Sequence, residues 1–124
     1  MKPAPHLASG RRAEELALGV LTAAGLRLVT RNYRCPQGEL DLVMEQGETL
    51  VMVEVRYRQD NRFGSAAETV GTRKQQKLLR AAQHFLLQDA RWCRRPLRFD
   101  VVAVSDTAAG AITTDWIKDA FRAD

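Results

Sequence analysis

The chain has 124 residues, 45% of them hydrophobic and 27% charged, which is enough apolar material for one continuous core and too little length for a second ordinary domain. Its Leu, Val and Ala runs exclude disorder, and a net charge of +4 is too small to establish a polyanionic partner until its distribution is examined. No stretch approaches a membrane span, and Met1–Ser9 holds Lys2 and two prolines without an apolar segment, so a cytoplasmic protein without membrane contact is expected. Cys35 and Cys93 form no CxxC pair and lack the histidine spacing of a zinc site; both are expected as reduced thiols.

In chain order, residues 1–8 read as a flexible tail and 9–124 as one domain. Ser9 can cap a helix whose apolar positions Ala13, Leu16, Ala17, Val20, Leu21 and Ala24 keep helical spacing up to Gly25. Leu26–Arg34 is strand-like and Pro36–Gly38 is a turn. Leu40–Glu45 and Leu50–Arg56, rich in Val, Leu and Met, flank Gln46, Gly47 and Glu48 as a β-hairpin. A polar loop, Tyr57–Gly64, precedes a helix from about Val70 to Asp89. Its stripe of Leu78, Leu79, Ala82, Phe85 and Leu86 should be buried, with Arg73, Lys77, Arg80 and His84 on the other face. Leu97–Val104 reads as a strand and Trp116–Phe121 as a short closing helix. The order is that of an α/β fold around a central mixed sheet flanked by helices.

Charge is distributed unevenly along this order. Arg73 to Arg98 contains eight basic residues against Asp89 alone, whereas the charges between Gln37 and Val55 (Glu39, Asp41, Glu45, Glu48, Glu54) are all acidic. An acidic centre beside a basic flank suits a metal site next to a phosphate-binding surface. If the hairpin turns on Gly47 and Glu48, Gln46 faces Thr49, and counting outward places Asp41 opposite Glu54, with Arg56 on the face of Glu54. Glu54 also lies in a run, Leu50–Val55, apolar enough for a strand covered on both faces. A carboxylate buried there, facing a second one, needs positive charge, which Mg²⁺ or Mn²⁺ would supply together with hydrolytic chemistry. The plainer alternative has Glu54 and Arg56 facing solvent and Asp41 paired with a nearby arginine such as Arg34.

Several separated motifs resemble the YraN-type proteins, a bacterial family of the PD-(D/E)XK, restriction-endonuclease-like superfamily. They are Gly38-Glu39-Leu40-Asp41-Leu42-Val43, Leu50-Val51-Met52-Val53-Glu54-Val55-Arg56 and Arg98-Phe99-Asp100-Val101-Val102, with Gly10, Glu14 and Ala17 before them. Arg31-Asn32-Tyr33-Arg34, Phe63-Gly64, Lys74 and Ala120-Phe121 extend the likeness over nearly the whole chain. The resemblance implies an αβββαβ core and a metal-dependent nuclease acting on DNA, at branched or single-stranded structures. It makes Asp41 and Glu54 the metal carboxylates, Arg56 the occupant of the superfamily lysine's place, and Glu14 a further catalytic candidate. A fold that binds nucleic acid without cleaving it, and a protein-interaction scaffold, are the rivals. Arg56 is the main departure, since a guanidinium can hold charge but cannot serve as a base. Ala13 replaces an expected glycine.

The remaining candidates divide by position. Glu14 and Glu15 could be first-turn acids that complement a helix dipole, and Glu39 a turn residue, the favoured reading, or an extra metal ligand. Arg73, Lys77 and Arg80 are either a solvated face or a phosphate track, whereas Lys74 lines up with Leu78, Ala81 and Phe85 toward the sheet and is counted with the nucleic-acid-binding residues. His84, on a polar face, is a weak catalytic candidate, Trp92 and Trp116 are read as core or rim, and Asp100 as a structural, hydrogen-bonded carboxylate. The expected partner is nucleic acid, DNA before RNA; a homodimer is left open.

Overall fold

The computed structural model describes residues 5–58, 70–106 and 111–122, with side chains of residues 5–9, 58 and 106 left aside. The elements are α1 (Pro5–Ala23), β1 (Arg27–Cys35), β2 (Gly38–Gln46), β3 (Thr49–Arg58), α2 (Thr72–Gln88), β4 (Leu97–Asp106) and β5 (Ile112–Phe121). A 3-10 turn at Ala90–Trp92 joins α2 to β4. The five strands lie in sequence order in one mixed sheet: β3 and β4 pair parallel, and every other neighbouring pair is antiparallel. Joining parallel neighbours requires a crossover, and α2 lies on it. This is an α/β fold consistent with a restriction-endonuclease-like core.

Central β3 is covered on both faces, as its apolar run demands. Leu50 and Met52 pack with Leu78, Ala81, Ala82 and Phe85 of α2, whereas Val51 and Val53 pack with Ala13, Ala17 and Leu21 of α1. Each helix therefore buries one apolar stripe on its own side of the sheet, and a polar residue on β3 must answer to one of them. The β2–β3 turn is the two-residue one expected. Gln46 faces Thr49, and Gly47 has φ 58° while Glu48 stays at negative φ, the φ pattern of a type II′ turn.

Several expectations change. α1 starts at Pro5, so Ser9 lies inside it and Pro5–Ala8, expected as tail, are helical; proline is tolerated in a first turn because its missing N–H has no partner there. Glu14 and Glu15 are then mid-helix and cannot be first-turn acids. The Tyr57–Gly64 loop begins later, since β3 continues through Arg58, and its remainder, with Phe63 and Gly64, lies outside the described residues.

The closing helix is a strand. Trp116, Ile117, Ala120 and Phe121 have helix-like spacing, but β5 is irregular, pairing Ile117 with Val101 and Phe121 with Phe99, so it carries extra residues between those pairs. Asp119 sits there at φ 52°. Fully buried Asp100 holds the irregularity in place: it accepts from the Asp119 N–H and from Trp116 Nε1, both at 2.9 Å, and from Arg98 at 2.9 and 3.0 Å. As expected, it is structural and hydrogen-bonded. Asp100→Ala would strand the Arg98 charge and an indole N–H, and should cost about 3 kcal/mol in urea denaturation, with the largest loss of hydrogen-exchange protection in β5.

Candidate functional site

Regular alternation along β2 fails at one residue. Leu42 and Met44 face α1 and Val43 faces α2, yet Leu40 also packs on the α2 side, so the alternation breaks at Asp41. The β2–β3 ladder ends at the Leu42–Val53 pair, just short of Asp41 and Glu54. On the other neighbour, Arg31 pairs with Leu42 and Tyr33 with Leu40, which places Asn32 opposite Asp41, and Asn32 is left-handed at φ 55°. Asn is among the few residues that adopt this conformation at modest cost. β1 and β2 keep their register here but both depart from regular strand geometry at one level, and the β2–β3 ladder ends there.

Asp41 fills the opening. Its Oδ2 accepts the Val55 N–H at 2.8 Å, so the side chain satisfies a donor in the opened part of the ladder. Glu54, only 6% exposed, faces Asp41, so two carboxyl groups meet where at most one ionises readily. Lys74, in the first turn of α2, brings Nζ to 3.7 Å from Glu54 Oε2. Burial, then the Asp41 charge, pushes the Glu54 carboxyl from 4.5 up to about 8, against the pull of Lys74 and Arg56. Burial also raises Asp41, against the Val55 N–H.

The other acids are engaged elsewhere. Glu45 is held between Arg27, at 2.7 Å, and Arg95; burial pushes its carboxyl up, but Arg95 and Arg27 bring it below the usual value. Arg95 also stacks over buried Trp92, so this group fastens the 3-10 turn to β2. Glu39 pairs with Arg34 at 3.4 Å. Arg34 is thus not the partner of Asp41, and Glu54 is buried, so the solvent-facing alternative fails on both residues. Glu14 pairs with Arg31 at 3.6 Å, as does Glu15 at 2.7 Å. Arg31 neighbours Asn32, but α1 lies on the sheet face opposite Lys74; Glu14 is near the opened ladder without joining the Asp41–Glu54 pair.

Two readings gain detail. His84 is half-buried and bonds through Nδ1 to the Tyr33 hydroxyl, so it ties α2 to β1. Arg73, Lys77 and Arg80 are exposed, and Arg56 is half-buried beside Glu54. Sequence reasoning missed Asn32, for which an Asn between two strand-like halves was the available signal, and the Val55 N–H, for which there was none. Cys35 and Cys93 are free thiols, and no described helix is long and apolar enough to cross a membrane.

A buried carboxyl group facing a half-buried one, with cations at their edge, fits a hard divalent ion: Mg²⁺ takes one or two carboxylates and keeps waters for the rest of its shell. Among the described residues no cluster of three or more His, Cys, Asp or Glu side chains exists, so water or substrate would have to complete the coordination.

The model of the Uncharacterised protein family UPF0102 matches residues 13–104, a span that contains Glu14, Asp41, Glu54, Arg56 and Lys74. The chain belongs to the UPF0102 family. It is 56% identical over 115 residues to a UPF0102 protein of Stutzerimonas stutzeri, covering 92% of this chain and 94% of the relative. It is 48% identical over 122 residues to one of Nitrosococcus oceani, covering 98% of each. A Pseudomonas aeruginosa UPF0102 protein is 50% identical over 116 residues, 92% of each. UPF0102 is the YraN family, so the resemblance read from the sequence motifs holds.

A carboxyl group that binds its proton more tightly folded than unfolded makes the folded state lose stability as pH rises from the ordinary value, 4.5 for Glu54, toward about 8. Without divalent metal, urea denaturation should therefore give lower stability at pH 8.5 than at pH 5.5. Glu54→Gln should flatten that slope, and saturating Mg²⁺ should oppose it; an unchanged slope in Glu54→Gln would remove the buried acid as its cause.

Proposed function

We propose that this protein is a metal-dependent phosphodiesterase acting on DNA, built on the Asp41–Glu54 pair. The observation that carries the reading is a buried carboxyl group facing a half-buried one at an opened strand ladder, an arrangement that costs stability unless a ligand compensates it. Asp41 and Glu54 would hold Mg²⁺ or Mn²⁺. Such an ion supplies positive charge at a phosphate oxygen and lowers the pKa of a bound water.

In the reaction the water oxygen bonds to phosphorus and the ester P–O bond breaks. Its electron pair leaves on the sugar oxygen, which takes up a proton, while the proton lost by water passes to solvent. The products are a phosphomonoester end and a sugar hydroxyl. Arg56, always charged, offsets charge on the phosphate but does not accept the water's proton. Arg73, Lys77 and Arg80, exposed along one side of α2, form the track for neighbouring phosphates, and their register with the site follows from Lys74 on the same helix. Glu14 supports the site from α1 through Arg31. Arg56 in the place of lysine also favours a second reading, a binding protein that keeps the fold and does not cleave.

Cleavage of duplex, flap, junction and single-stranded DNA, and of RNA, with Mg²⁺ and Mn²⁺ tests the choice. Asp41→Asn and Glu54→Gln should lower metal-dependent cleavage at least 100-fold while DNA binding survives, and Arg56→Lys should retain or raise it. Charge reversal at Arg73, Lys77 and Arg80 should weaken binding to all sequences alike and make it less salt-dependent. No cleavage of any substrate by the parent or by Arg56→Lys would leave the binding protein.

A further inference from the structure

Lys74 stands apart from the other basic residues of α2. Arg73, Lys77 and Arg80 are exposed, whereas Lys74 leans over the sheet with Nζ 3.7 Å from Glu54 Oε2. Its side chain is still 41% exposed, so one side of the ammonium faces the carboxyl pair and the other faces solvent. A group in that posture can touch both a carboxylate-bound ion and a polyanion arriving from outside. Arg56, on the strand, is the competing cation; Lys74 weighs more heavily than Arg56 on Glu54, and it also acts on Asp41.

The placement of Lys74 is built into the fold. At Gly38, the first residue of β2, a Cβ would lie 3.3 Å from the backbone oxygen of Lys77, closer than nearly all real contacts, so glycine lets α2 come down onto the sheet at this level. Lys74 is three residues earlier, on the neighbouring turn of the same helix. The two side chains also differ chemically. Lysine is a compact point charge on a flexible stem, able to leave one partner for another, whereas a guanidinium is a rigid planar fork.

We infer that Lys74 is the cation that holds a phosphate oxygen beside the Asp41–Glu54 ion site, the post that the resembled superfamily fills with a lysine on the strand. Without an ion, Lys74 rests on Glu54. Once an ion takes the Glu54 oxygens, the ammonium loses that partner and remains at the open side of the site, facing the phosphate. The inference rests on the phosphodiesterase reading for the identity of the anion, but it concerns binding of the phosphate and not its hydrolysis.

The test uses the full chain and probes that need no turnover: Mn²⁺ alone by calorimetry, and affinity for a short single-stranded DNA with and without Ca²⁺. Lys74→Met should bind Mn²⁺ several-fold more tightly, because a cation opposite the ion is gone, and should lose at least tenfold of the Ca²⁺-dependent gain in DNA affinity. Lys74→Arg should restore part of that gain. An intact gain in Lys74→Met, an equal loss in Lys77→Met, or no Ca²⁺-dependent gain in the parent would overturn the inference. A parent that cleaves nothing but shows a Lys74-dependent gain would sink the hydrolytic reading and leave this one. A parent that cleaves, with Lys74→Met behaving like Lys77→Met, would do the reverse.

Discussion

The apposition of the Asp41 and Glu54 carboxyl groups at the opened ladder is the constraint around which this part of the molecule is arranged. Two facing carboxyl groups do not both ionise readily in a buried strand without compensation, and the compensating groups around them include the backbone N–H of Val55, the ammonium of Lys74 and the charge of Arg56. The Glu54 carboxyl therefore stays protonated well above its ordinary range. The departures from regular structure lie at the level where the two carboxyl groups meet.

Those departures are local and connected. Asn32 turns left-handed opposite Asp41, the alternation of β2 breaks at the same level, and the ladder to β3 stops at Leu42–Val53. The surrounding structure is correspondingly well determined, with apolar packing on both faces of β3 and the Tyr33–His84 bond drawing α2 onto β1. On β4, Asp100 pairs with Val53 and fixes β5 through hydrogen bonds from Trp116 and the Asp119 N–H, with Arg98 supplying two more from its own strand. A strained site is tolerated where the scaffold over-determines it.

Much of this was legible in the sequence because it depends on period and count. The two-residue turn at Gly47 and Glu48 sets the register of the hairpin, so Asp41 opposite Glu54 followed by arithmetic, and the apolar run around Glu54 implied burial. The side of Lys74 followed from helical spacing with Leu78 and Phe85. Illegible features were those in which a tertiary contact overrides the local pattern. Trp116, Ile117, Ala120 and Phe121 fit a helix face as well as an irregular strand, and only the Asp100 contacts decide between them. Which acids belong to the site was also hidden, because Glu45 leaves the acidic group through Arg27 and Arg95, both distant in sequence, while Glu39 pairs with Arg34 across the neighbouring turn.

The central claim is that the Asp41–Glu54 pair is an ion site whose proton is displaced by the ion. Calorimetric titration of Mn²⁺ at pH 7 in buffers of different ionisation enthalpy measures that displacement directly. A facing pair with Glu54 near 8 predicts saturable binding with release of close to one proton per ion, both abolished in Asp41→Asn and Glu54→Gln. Binding without proton release, or binding that survives both substitutions, would contradict it.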